Sequence, residues 1–282
     1  EQADDILGFS LSQLCFEGPV EALNDTINTQ VAIFTTSVAA LHALRAAGYE
    51  IIPKYVAGHS LGEYSAYVAA GALSFEDGLR LVRTRGTLMK KAGELNPGSM
   101  AALLKLDDET VEKICADITG EGSETVQIAN YNSPGQVVIS GHNAAIDQGI
   151  ERALEAKARK AVKLAVSIAA HSELMRVIAD EFREAINTTS LNLPEMPIIA
   201  NISGEPLSSL EDIRAEMEGQ LTSSVRWTDS VLWMADNGIT EFVEIGPTKS
   251  VLGGLNRRII KTIKTHLVGN SAEIDTFLAS KA

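Results

Sequence analysis

The chain has 282 residues, long enough for one large domain or two smaller ones around a sizeable core. Hydrophobic residues make up 45% and charged residues 22%, an ordinary globular balance, and the net charge of −13 speaks against nucleic acid and anionic membrane surfaces as partners. The two cysteines, Cys15 and Cys115, give no disulfide scaffold; with no apolar run approaching a membrane span and no signal peptide, a cytoplasmic protein is expected.

Residues 1–50 read mostly helical, with a long apolar-periodic stretch from Gln30 to Ala47 that stops at Gly48. Pro53 to Ala57 reads as a short strand, and Leu61 to Ala70 as a helix stopped by Gly71. Ser74-Phe75-Glu76-Asp77 has the form of a capping box and opens a helix running to about Ala92. The pattern then changes. Ser99 to Leu106 predicts a strand and Asp107 to Ile118 a helix. Thr125 to Tyr131 and Gln136 to Ser140 predict two strands joined by the turn Asn132-Ser133-Pro134-Gly135. A helix from Asn143 to Ala156 and a strand from Lys160 to Val166 complete a βαββαβ order, the ferredoxin-like arrangement, in roughly 65–70 residues. Helical pattern resumes at Ser172. Pro197 to Ile202 and Glu241 to Ile245 are buried-strand candidates, with the helix Trp227 to Asn237 between them. Strands alternating with helices on both sides of the insertion predict a parallel sheet in an α/β fold.

Between the first strand and its helix lies Gly58-His59-Ser60-Leu61-Gly62, a Gly-x-Ser-x-Gly sequence. Glycines at both ends would let a serine stand on a sharp strand-to-helix turn with its hydroxyl exposed. The Leu61 N–H would then be an unpaired donor at a helix start, placed to stabilise an oxyanion. The competing reading is a glycine-rich loop whose serine caps a helix.

When Phe75 to Lys91 is wound at about 100° per residue, Phe75, Leu79, Leu81, Val82, Leu88 and Met89 form an apolar arc. Arg80, Arg83, Lys90 and Lys91 fall opposite, but Arg85 lands inside the arc. A guanidinium cannot shed its proton, so burial demands an anionic or strongly accepting partner. That partner is either an internal Asp or Glu, or a carboxylate carried by a substrate.

A nucleophilic serine needs a base, and the chain has five histidines. His42 sits within a helix, His142 follows a strand and reads as turn chemistry, and His266 lies near the C-terminus. His59 adjoins the serine, but adjacent side chains on a tight turn point apart. His171 precedes a helix opened by Ser172, where the helix N-terminus would disfavour its charged form and keep it neutral. It reads either as the base or as a helix-capping histidine. Nothing in the sequence suggests a metal.

Taken together, these segments resemble the malonyl-CoA:acyl carrier protein transacylases over nearly the whole chain. The resemblance is carried by Gly58-His59-Ser60-Leu61-Gly62-Glu63-Tyr64-Ser65-Ala66, by Leu81-Val82 with Arg85-Gly86 and Met89, and by Met100-Ala101-Ala102. It continues through Asn130-Tyr131-Asn132-Ser133-Pro134-Gly135-Gln136-Val137-Val138-Ile139-Ser140-Gly141 and Val166-Ser167 with His171-Ser172 and Leu174-Met175. Gln220-Leu221, Val225-Arg226-Trp227 and Glu244-Ile245-Gly246-Pro247 close the set. The resemblance implies an α/β-hydrolase-like parallel-sheet large subdomain, residues 1–97 and 168–282, with a ferredoxin-like small subdomain, residues 98–167, inserted.

It further implies that Ser60 carries the acyl group as an ester and that His171 is its base, oriented by a backbone carbonyl near Gln220 rather than by a carboxylate. Arg85 would clamp the free carboxylate of malonyl and Leu61 would give one oxyanion N–H. Gln220, Met100 and Asn130 would be further substrate-binding residues. Malonyl-CoA and acyl carrier protein would be the partners of a monomeric enzyme without a cofactor, in fatty acid or polyketide synthesis. Ile168-Ala169-Ala170-His171 is more similar to the stand-alone enzymes than to modular synthases. Family members open with an apolar strand and a Pro-Gly-Gln-Gly-x-Gln loop that supplies the second oxyanion donor, whereas this sequence starts at Glu1-Gln2-Ala3-Asp4-Asp5, past that point. Loss of one such donor costs about 10²–10³-fold in rate, so residues 1–282 alone are expected to fall short of full activity.

Arg159, Lys160 and Lys163, and a helical face of Arg257, Lys261 and Lys264, are candidates for docking an acidic carrier, or are simply solvated. Two rival functions are a serine hydrolase or thioesterase of the α/β-hydrolase kind, with Glu244 and His266 completing its triad, and a non-catalytic carrier-binding module.

Overall fold

The computed structural model describes residues 1–49, 52–122, 124–246 and 249–281. Strand β1 (Val56–Ala57) pairs in parallel with β6 (Ile198–Ile199), and β7 (Glu241–Ile245) pairs in parallel with β8 (Lys264–Val268). The parallel part thus consists, among the described residues, of two separate two-stranded pieces rather than one continuous sheet. Strand β8 was not expected. Its Lys-Thr-His-Leu-Val sequence mixes polar and apolar residues, because it borders the sheet. Pro247, the last residue of the Glu244 motif, and Glu50 of the helical N-terminal stretch lie outside the described residues.

Between these pieces in sequence come β2 (Gly98–Leu104), β3 (Val126–Ser133), β4 (Gln136–His142) and β5 (Lys160–Lys163), with helices Asp108–Glu121 and Asn143–Glu155 following β2 and β4. The sheet order is β3-β4-β2-β5 and every pairing is antiparallel. Its apolar face buries Ala101, Leu103, Val137 and Ile139 against Val111, Ile118 and Ile146 of the two helices, a core separate from the main one. Strand β5 ends at Lys163, three residues short of the expected Val166.

Two 21-residue helices, Thr26–Ala46 and Phe75–Leu95, pack side by side in the main core. The first has the length and composition of a membrane span, contrary to expectation, yet its Val31, Phe34 and Val38 are buried in the core with Leu79 and Val82 of the second. The close approach requires Gly86, since a Cβ there would lie 3.0 Å from the Ile27 backbone. Ser74 caps the second helix, its Oγ accepting from Asp77 N at 3.0 Å. On this helix Arg80 pairs with Glu76 at the surface, while Arg85 lies on the buried face.

Candidate active site

The chain leaves β1 at Ala57 and enters the helix Gly62–Ala69 through a turn in which Ser60 adopts φ 52°, a left-handed conformation that costs a non-glycine residue about 1–3 kcal/mol. Gly58 makes the turn sterically possible, because a Cβ on it would sit 2.0 Å from the Gly62 carbonyl group. Gly62 is different from expectation: a Cβ there would meet nothing within 4 Å. The strained conformation is held from outside. Asn201, just past the end of β6, accepts from Ser60 N with its Oδ1 at 2.7 Å and donates to Gly58 O from Nδ2 at 2.7 Å.

Three predicted residues meet at the Ser60 hydroxyl. It lies 2.7 Å from His171 Nε2 and accepts from Arg85 Nη2 at 3.0 Å. His171 Nδ1 lies 2.9 Å from Gln220 O and 3.2 Å from Ser223 O. Two carbonyl acceptors require the proton on Nδ1, which leaves Nε2 as the acceptor facing serine. No carboxylate takes part. His171 also has positive φ, 59°, so both reacting side chains stand on left-handed turns. Its pKa is lowered to about 3, first by burial and second by the Arg85 charge. The sequence argument had the direction right and the cause wrong, since it invoked the following helix. That element is a 3₁₀ helix, Glu173–Ile178, capped by Ser172, and the interior is what keeps the imidazole neutral.

Arg85 is 1% exposed. Its Nη1 donates to Gln30 Oε1 and its Nη2 to Gln220 Oε1 at 3.0 Å. Among the described residues it forms no ion pair, so an internal salt bridge does not account for its burial. Its Nε is buried without a partner. Burial lowers its pKa, yet a guanidinium stays charged at any working pH. Gln220 itself is 1% exposed and donates from Nε2 to Ser60 O at 3.0 Å and to Glu63 Oε2.

The other expected residues are less central. Leu61 N carries none of the site's hydrogen bonds and stands next to the serine, as an oxyanion donor must. Met100 on β2 is buried in the same apolar cluster as Leu88, Met89 and Ala170. Asn130 on β3 is buried where that strand bridges to Val225, but its side chain makes no hydrogen bond to Ser60, Arg85 or His171 among the described residues. His59 turns away from the serine and donates from Nε2 to Asn132 Oδ1 at 2.8 Å, against the Trp227 ring. It thereby ties the turn to β3.

The hydrolase triad does not form. Glu244 caps the helix Leu252–Ile259, accepting from the backbone N–H groups of Val251, Leu252 and Gly253. His266 lies opposite Val243 rather than Glu244 and pairs with Glu241. The basic set at the C-terminal end is also not one helical face. Arg257 is on that helix, Lys261 follows its end, and Lys264 begins β8. A cavity of about 370 Å³ lies behind the turn, lined by Val56, Ala57, Gly58, Trp227 and Val243, without Ser60, Arg85 or His171 in its wall.

Sequence reasoning missed Gln30, Asn201 and the role of Glu63. Gln30 could have been found as a polar residue at the head of an apolar helical run, a weaker signal than that of Arg85 inside its apolar arc. Asn201 follows the carboxyl end of a parallel strand, where α/β sheets place their chemistry.

The acyl transferase domain family matches residues 1–274. A malonyl CoA-acyl carrier protein transacylase of Bacillus subtilis is 41% identical over 98% of this chain and 86% of its own length. An acyl-carrier-protein S-malonyltransferase structure from Bartonella henselae superposes with a TM-score of 0.93 at 42% identity, covering 99% of this chain and 88% of that one. A malonyl-transacylase solved in complex with its type II PKS acyl-carrier protein gives 0.94 at 36% identity, over 99% and 89%. With a serine, a neutral histidine and a buried guanidinium around one hydroxyl, and with these relatives matched over 98–99% of its length, this chain belongs to the acyl transferase family, among the malonyl-CoA:acyl carrier protein transacylases.

Proposed function

We propose that this protein is an [acyl-carrier-protein] S-malonyltransferase, moving malonyl from malonyl-CoA to the phosphopantetheine thiol of acyl carrier protein through a malonyl ester on Ser60. One observation carries the reading: a single hydroxyl lies 2.7 Å from a histidine nitrogen and 3.0 Å from a buried arginine that, among the described residues, pairs with no carboxylate.

In the first half, His171 Nε2 takes the Ser60 proton as Oγ attacks the thioester carbonyl. The carbonyl oxygen becomes an oxyanion facing the Leu61 N–H. The imidazolium formed for that moment is stabilised by the Gln220 and Ser223 carbonyls at Nδ1. The tetrahedral intermediate collapses, the C–S bond breaks, and the CoA sulfur leaves with the proton that His171 returns. In the second half the carrier's thiol gives its proton to His171 and attacks the ester, and Ser60 regains its proton on leaving. Arg85 holds the malonyl carboxylate throughout, its acceptors Gln30 and Gln220 being neutral amides that leave its charge for the ligand. Met100 and Asn130 line the acyl side, and Asn130 acts through the β3–Val225 bridge rather than through the serine.

We read residues 1–97 and 168–282 as an α/β-hydrolase-like body and 98–167 as an inserted ferredoxin-like unit. The antiparallel order of β2 to β5 and their separate core support this. The exposed Arg159 and Lys160, with Lys163 beside Asp147, form the docking patch for the acidic carrier; the relative solved with its carrier protein favours a partner of that kind.

Mixing the protein with malonyl-CoA and mapping the adduct by mass spectrometry tests the reading. A malonyl group on Ser60 is expected, and labelling elsewhere sinks it. R85A is expected to lose about 10²–10³-fold in malonyl transfer and to lose its preference over acetyl, because a buried charge pair is broken. Retained malonyl preference in R85A removes the clamp.

A further inference from the structure

The clamp reading gives Arg85 a task that depends on where its guanidinium points. Two amides fix that direction, and one of them, Gln220, is itself fixed. A primary amide has a donor end and an acceptor end. The donor end of Gln220 reaches Ser60 O at 3.0 Å and Glu63 Oε2, so its oxygen is left facing Arg85 Nη2 at 3.0 Å. Turned over, the same amide would set oxygen against two acceptors and nitrogen against a guanidinium.

Glu63 stands directly behind the serine turn, on the first turn of the helix Gly62–Ala69, and is 0% exposed. Its Oε1 accepts from Asn201 N and Asn201 Nδ2, both at 2.9 Å. Asn201 is the residue that holds Gly58 O and Ser60 N. One carboxyl group therefore joins the two supports of the site, the amide behind the arginine and the amide behind the nucleophile, and even protonated it keeps lone pairs enough to accept these three bonds. It does so without a hydrogen bond or ion pair to Arg85 among the described residues, so the guanidinium keeps its open side for the ligand.

We propose that Glu63 is the positioning residue of this site, its carboxyl oxygens fixing which way the Gln220 amide faces, and so aiming Arg85, while they hold Asn201 against the serine turn. The inference rests on the reading of Arg85 as the malonyl clamp. Glu63 acts on the acyl group only through Gln220.

The test is E63Q, which keeps the shape of the side chain. Its amide oxygen can keep both Asn201 bonds, and its NH2 then faces the NH2 of Gln220. Gln220 is expected to turn over and present a donor to Arg85. The preference for malonyl-CoA over acetyl-CoA in Ser60 acylation is then expected to fall about ten- to a hundredfold, the loss of one hydrogen bond to a charged group. Circular dichroism and the Tm of the same preparation check the fold. A preference equal to that of the wild type overturns the proposal, and so does an equal fall in both acylation rates, which marks a merely structural residue. Should E63Q not fold, E63D serves: its carboxylate is one methylene too short to reach both amides, the preference is again expected to fall, and an unchanged preference overturns the proposal. R85A, measured alongside, separates the two claims. If R85A keeps the malonyl preference, the clamp reading fails; if R85A loses it and E63Q keeps it, only the role of Glu63 fails.

Discussion

Strands β2 and β4 pair over the full seven residues of β2, whereas β1 and β6, from whose ends the serine turn and Asn201 project, are two residues long. The long ladder makes a regular frame and places no reacting group. The short one stops where the chain must take conformations that no ladder permits. Among the described residues, four non-glycine residues have positive φ, and they divide between these regions. Lys105 and Lys157 close ordinary turns around the antiparallel unit, Lys105 N donating to Gly135 O at 2.7 Å and Lys157 N to Leu154 O at 2.9 Å. Ser60 and His171 are the hydrogen-bonded pair proposed as nucleophile and base. The same backbone strain therefore serves turn closure in one region and chemistry in the other, and the side-chain hydrogen bonds around it tell the two uses apart.

The largest expected effect separates the two histidines that could serve the serine. H171A should lower acyl transfer by about 10⁴-fold, as removal of a base from such a unit does, while H266A should leave it within about twofold. A large loss in H266A would return the chemistry to β7 and β8. Next come one core substitution in each region. G58A places a Cβ 2.0 Å from the Gly62 carbonyl group and should destabilise at the top of, or beyond, the about 1–3 kcal/mol of overpacked sites, with loss of acylation. I139A, at a fully buried position of β4, should cost about 2–5 kcal/mol by urea titration yet leave the acylation rate of the folded protein unchanged. A rate loss in I139A at a temperature where it is folded would mean the frame does more than hold shape.

A smaller effect concerns pH. An ordinary histidine titrates near 6.5, so a base of that kind would show its acid limb there. With His171 lowered to about 3, the kcat/KM for Ser60 acylation should stay flat from about pH 7 down to about pH 5. R85A removes the second cause of that lowering, and its acid limb should move to higher pH. A wild-type limb near 6.5 would contradict the buried, arginine-flanked environment. The smallest effect is on stability. Burial raises the pKa of both Glu63 and Glu216, and the Glu216 charge raises Glu63 further. The folded state then holds protons that the unfolded chain has lost, so stability is complete below about pH 4.3 and falls as pH rises through the folded values. E216Q removes one of the two acids; its Tm at pH 8 should exceed that of the wild type by about 2–4 °C, with little difference at pH 4. An equal shift at both pH values would show that repulsion between the two carboxyls is not its source.

The antiparallel unit was legible element by element, because strand and helix patterns and the Pro134-Gly135 turn are local signals, although Asn132 and Ser133, read as turn, prolong β3. The parallel part was legible at its punctuation: Gly58 before the serine, and Arg85 inside an apolar arc. What stayed hidden was relational. Asn201 meets Ser60 across 141 residues and Gln220 meets Glu63 across 157, and nothing in the neighbourhood of either residue announces the other. Gln220 came from family resemblance alone. Strand β8 was lost because a border strand mixes polar and apolar residues.

The guanidinium at position 85 sits in the interior hydrogen-bonded to amides and, among the described residues, in no ion pair. A cation so placed leaves the core electrically unfinished until an acid arrives. Acyl loading and conformational stability then become one linked equilibrium: the esterified protein should withstand heat better than the free protein, and should surrender that resistance each time it hands its cargo on. Between turnovers the molecule passes through its least robust form, and a cell short of the donor would hold more of it there.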